Sequence, residues 1–157
     1  MADDWNLADA RTDDLFEAAA AIEQGGIDFY ERLRSGQEDP RVRKEFEFLR
    51  NEETRHRELF LSLVHARPAG ARGDLPARLQ ALVRREFFDP LHELFLSSRI
   101  ETNHDTIVFG QELEKKSLSF YRSLLPLVDE NMRTDVERII AEEQQHLEQL
   151  RLMSAYY

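Results

Sequence analysis

Two stretches of this 157-residue chain repeat each other, and that repeat limits the fold more than any single segment does. Ile22-Glu23-Gln24-Gly25-Gly26-Ile27-Asp28-Phe29-Tyr30 matches Leu113-Glu114-Lys115-Lys116-Ser117-Leu118-Ser119-Phe120-Tyr121 in its glutamate, its aliphatic positions and its closing Phe-Tyr pair. Further on, Glu52-Glu53-Thr54-Arg55-His56 matches Glu142-Glu143-Gln144-Gln145-His146. Order and separation are kept: Glu23 precedes Glu53 by 30 residues, and Glu114 precedes Glu143 by 29. The halves read as two copies of one helical hairpin.

Helical periodicity and end signals place four long helices, with no strand-like alternation of comparable length. The first spans about 12–34 and stops at Ser35-Gly36, where glycine can adopt the left-handed conformation that closes a helix. The second starts at Asp39-Pro40, a cap followed by proline at the first helical position, and spans about 40–66. Pro68, Gly70 and Gly73 then give loop chemistry. Asp89-Pro90 signals a fresh helix start inside a long, partly helical crossover, 67–104. The third and fourth long helices span about 105–125 and 129–153. The expected fold is all-α: a single domain over 1–157, built as an antiparallel four-helix bundle from two hairpins.

The three-and-four spacing along each helix picks out the face that should point inward. The four faces are Phe16, Ala20, Glu23, Ile27, Tyr30; then Phe46, Leu49, Glu53, His56, Phe60, Leu63; then Ile107, Gln111, Glu114, Leu118, Tyr121, Leu125; and last Val136, Ile139, Glu143, His146, Leu150, Met153. Each apolar seam is interrupted by a glutamate, and two carry Glu-x-x-His. A register that exposed these groups would also expose Phe46, Phe60, Ile139 and Leu150. A lone buried carboxylate costs several kcal/mol, and four sharing one core repel one another unless they protonate or meet cations. Two divalent ions balance four glutamates, and two neutral imidazoles complete the coordination without adding charge. Residues three apart lie about 60° apart around a helix, so one Glu-x-x-His can serve one ion.

Composition removes competing chemistries. The net charge of −10 opposes binding to phosphate backbones or anionic membranes, and the absence of cysteine excludes thiolate nucleophiles and iron–sulfur ligation. The start of the sequence has no basic stretch followed by an apolar run, and no segment approaches about 18 uninterrupted apolar residues. The expected compartment is the cytoplasm.

The paired Glu-x-x-His motifs with their upstream glutamates resemble those of rubrerythrin-like, ferritin-like di-iron carboxylate proteins over nearly the whole chain. The resemblance implies that Glu23 and Glu114 are single-glutamate ligands, that Glu53 with His56 and Glu143 with His146 are the paired ones, and that Tyr30 and Tyr121 hydrogen-bond ligand carboxylates. These six ligands would carry catalysis through two iron ions per chain, although manganese or zinc suits the same donors. The implied activity is oxidation of iron(II) by hydrogen peroxide or dioxygen, with an external electron donor, and homodimerisation is plausible for such proteins. Two departures stand out. Rubrerythrin-type peroxidases carry an extra carboxylate one turn from the third-helix ligand, where this chain has Gln111 and Ser117, and the rubredoxin domain that returns electrons is absent. A carrier that binds and releases metal without turnover, or a structural bundle with a vestigial site, remains the alternative. Glu52, Glu142 and Glu112 are expected outside the ligand set, as are His65, His92 and His104. Gly25-Gly26 costs about 2 kcal/mol of helix propensity, to be explained by close helix approach or by a small opening beside Glu23.

Overall fold

The computed structural model describes residues 5–7, 10–64, 76–96 and 103–156. His65, Ala66 and the Arg67–Asp74 loop fall outside them. Every regular element among the described residues is helical: α1 (Thr12–Gly36), α2 (Pro40–Ser62), α3 (Ala77–Val83), a π turn (Arg84–Phe88), α4 (Asp89–Leu96), α5 (Asn103–Leu124), a 3-10 turn (Leu125–Leu127) and α6 (Glu130–Tyr156). No helix among them is long and apolar enough to cross a membrane. The chain divides into two compact units, one Arg11–Leu91 and the other Met1–Ala10 with His92–Tyr157.

In the first unit α1 and α2 form an antiparallel hairpin. Phe16 stacks on Phe60 at 6.3 Å and Tyr30 on Phe46 at 6.3 Å, so the numbering rises along one helix as it falls along the other. Asp39 caps α2 by accepting a hydrogen bond from the Arg41 amide at 2.9 Å, with Pro40 at the first helical position. The two helices are also tied by charge: the Glu31 carboxylate accepts from Arg34 on its own helix and from Arg50 on α2.

Two expected helix ends are corrected. Gly36 remains within α1 and takes no left-handed conformation; the turn is made by extended Gln37, whose carbonyl accepts from the Arg43 guanidinium at 2.9 Å. The proline at position 40 already biases the preceding residue, Asp39, towards extended backbone, so the glycine is not needed as the stop. Helix α2 ends at Ser62 rather than near Ala66. There the Ser62 hydroxyl donates to the Leu59 carbonyl at 2.6 Å, while the Leu63 and Val64 amides donate three residues back, tightening the last turn out of α geometry. A helix, α4, does start at Asp89-Pro90, but without a break in the chain: Asp89 is itself helical (φ −62°, ψ −44°), and its amide donates five residues back to the Arg84 carbonyl of the π turn. The wider π turn takes proline into the helix without the clash that a regular α turn would impose.

The second unit is built on a hairpin of α5 and α6. Gln111 donates to the Leu150 carbonyl at 3.2 Å, and His104 lies 3.2 Å from the Ser154 carbonyl, again an antiparallel register. Asp129 caps α6 by accepting from the Met132 amide at 3.0 Å. The N-terminal segment packs on α5, where buried Trp5 meets Phe120 edge-on at 5.4 Å and donates to the Ser119 hydroxyl at 3.0 Å. Asn6, between buried Trp5 and Leu7, has φ +45°, a conformation asparagine tolerates better than most residues.

Two outcomes test these ties. Asp39→Ala should cost about 1 kcal/mol in urea unfolding, the usual loss on removing a cap. Hydrogen bonds first from Arg34 and then from Arg50 lower the Glu31 pKa from 4.5 to about 2. A depressed folded-state pKa adds stability above the unfolded value and loses it as pH falls. The stability gap between the wild type and Glu31→Gln should therefore be small but present at pH 7, and should close between pH 4.5 and 2, with NMR titration placing the carboxyl near the lower value.

Candidate metal centre

The inward register read from the apolar spacing holds for most of the four seams. Glu23, His56 and Glu143 are 0% exposed, Glu114 and His146 3%, and Glu53 5%. Ile27 and Gln111 are half-buried. Leu124, the last residue of α5, is buried, whereas Leu125, which opens the 3-10 turn, is half-buried.

In the α1–α2 hairpin, His56 Nδ1 lies 3.9 Å from Glu23 Oε1. The Phe16–Phe60 and Tyr30–Phe46 stacks lie before and after this level along the hairpin, so the carboxylates sit between aromatic layers. Such surroundings lower the local dielectric and strengthen any charge interaction there. In the α5–α6 hairpin, His146 Nδ1 lies 3.1 Å from Glu143 Oε2. Donors about 2.1 Å from one ion stand roughly 3 to 3.4 Å apart at octahedral to tetrahedral angles. The Glu143–His146 pair already has that spacing, and Glu23–His56 is somewhat wider.

Glu53 and His56 in the first hairpin, and Glu143 and His146 in the second, are buried carboxylate and imidazole donors of the kind that could hold a metal ion. Oxygen and imidazole donors of this kind suit iron, manganese or zinc. Tyr30 and Tyr121 are fully enclosed; Tyr30 also meets Phe29 edge-on at 5.1 Å, and Tyr121 meets Phe120 edge-on at 6.1 Å.

The neighbouring acids behave differently. Glu52 accepts from Arg55 at 2.7 Å, Glu142 from Arg138 at 3.4 Å, and exposed Glu112 from Lys115 at 3.0 Å. Arg55 also reaches to 3.4 Å from His56 Nε2, so the Glu52–Arg55 pair braces the outer edge of that imidazole. His92 and His104 are exposed.

Sequence reasoning missed one buried carboxylate, Asp14. It lies off the seam in the first turn of α1, where the helix dipole favours negative charge, and about 13 Å along the axis from Glu23. No family model matches this chain, and no curated protein or solved structure matches it either.

The contrast between inner and outer acids yields a direct test. Glu53→Ala and Glu143→Ala should each lower metal binding by about tenfold or more, whereas Glu52→Ala and Glu142→Ala should change it by about threefold at most. Titration of metal-free protein with iron(II) or zinc, read by calorimetry, separates the two groups; equal losses in all four would refute the assigned register.

Proposed function

We propose that Glu23, Glu53, His56, Glu114, Glu143 and His146 hold two iron ions in a ferritin-like four-helix bundle, and that the protein oxidises iron(II) with hydrogen peroxide or dioxygen. The observation that carries this reading is the burial of four glutamates and two histidines on otherwise apolar helix faces. The sequence repeat supports it, because each hairpin brings the same three ligands, two glutamates and a histidine, in the same order. Three ligands from one hairpin leave an ion under-coordinated. Six from two hairpins, with carboxylates able to bridge, suit a pair.

Each residue has a definite task in this reading. The glutamates offset the charge of the ions and, as hard oxygen donors, favour the higher oxidation state. His56 and His146 complete the coordination as neutral ligands. The Tyr30 and Tyr121 hydroxyls would hydrogen-bond ligand carboxylates and hold their orientation. The aromatic layers exclude bulk water from the carboxylates of the first hairpin. Bound as iron(II), the metal pair would supply the two electrons that, with two protons, reduce one hydrogen peroxide to two waters. The chain contains no cysteine-based centre to return those electrons, so an external donor must do so.

Elemental analysis of protein reconstituted anaerobically with iron(II) should find about two ions per chain; fewer than one would count against a dinuclear centre. Stopped-flow spectra of the reduced protein should then show about one peroxide consumed per metal pair, with the reaction stopping until a reductant is added. Sustained peroxide loss without reductant would indicate a catalase-like cycle. A reduced protein inert to both oxidants would instead leave a metal carrier.

A further inference from the structure

We infer that the missing side chain at Gly26 is what places the Glu53 carboxylate, and that Gly26 is therefore a positioning residue for metal binding; this rests on the metal centre proposed above. A Cβ built at Gly26 would lie 2.8 Å from Glu53 Oε2, 3.3 Å from its Cδ and 3.4 Å from its Cγ. The Glu53 carboxylate thus lies against the bare backbone of α1, in space that any other residue would take. Gly26 is in the interior of α1, away from either end, where glycine weakens a helix and serves no turn. The expected opening beside Glu23 is not what this glycine provides, because the Glu53 carboxylate uses the space.

The equivalent position in the second hairpin sharpens the point. In the repeat, Gly26 corresponds to Ser117 and Glu53 to Glu143. Glu143 places its Oε2 3.1 Å from His146 Nδ1, whereas Glu53 places its Oε2 against Gly26. The second repeat thus carries a serine where the first carries the glycine that Glu53 lies against. The repeats differ at this position, and Glu53 is the ligand whose position is set by an absent side chain.

This role can be separated from a packing role. The clashing atom is the far end of a flexible side chain, so in metal-free protein Glu53 can swing aside, and alanine is the better helix former. Once Glu53 must ligate, that freedom is gone. Gly26→Ala should therefore leave the thermal midpoint of the metal-free protein equal to or above that of the wild type. It should weaken zinc or iron(II) binding by about 10- to 100-fold, the usual cost of disturbing what orients a ligand. In a Glu53→Asp background the shorter side chain withdraws from the new Cβ, and the same substitution should weaken binding by no more than about threefold.

The wild type is titrated alongside in the same calorimetric experiment. If it binds no metal, the functional reading fails and the affinity claim fails with it. If it binds metal and Gly26→Ala binds as tightly, the inference is overturned and the functional reading stands. If Gly26→Ala lowers the midpoint of the metal-free protein, the glycine serves packing, and the inference is likewise overturned.

Discussion

Carboxylates held away from water dominate the energetics of this chain. Glu23, Glu53, Glu114 and Glu143 sit among phenylalanine, leucine, isoleucine and tyrosine on helix faces that would otherwise form an ordinary apolar core. An ionised carboxylate there costs several kcal/mol unless hydrogen bonds, protonation or cations compensate it. The nearby imidazoles of His56 and His146 can donate or accept but, when neutral, cannot balance charge. A cation held by these donors would offset that charge.

The chain treats its outer acids in another way. Glu31, Glu52, Glu112 and Glu142 each lie beside an arginine or lysine at the helix surface. Such surface pairs add little individually, yet they satisfy these acids where they stand. Glu52 and Glu53 are adjacent in sequence but about 100° apart around α2, so one meets Arg55 while the other turns inward towards Gly26. Charge is thereby sorted by helix phase alone.

Much of this is legible from spacing. The period of the apolar residues identifies the helices, and the repeat pairs them into hairpins. The misplaced ends share one cause: several local signals compete, and only the packed chain shows which one acts. Gly36 could have closed α1, but Pro40 and the Gln37–Arg43 contact formed the turn instead. Asp89-Pro90 does open α4, but the π turn before it leaves no break in the helical chain. Trp5 gave no signal of its burial because a short N-terminal segment has no periodicity to read.

By itself the sequence determined that the chain is helical and which face of each long helix turns inward, because a 3.6-residue period leaves little choice once aromatic and aliphatic residues are spaced three and four apart. It also determined the chemical types on those faces, oxygen and imidazole donors without sulfur. Only the tertiary structure decided where each carboxylate rests: Glu143 beside His146, and Glu53 against the backbone at Gly26. A glutamate has three rotatable bonds, and its resting place is set by what the facing helix leaves open, which no spacing along a single helix records.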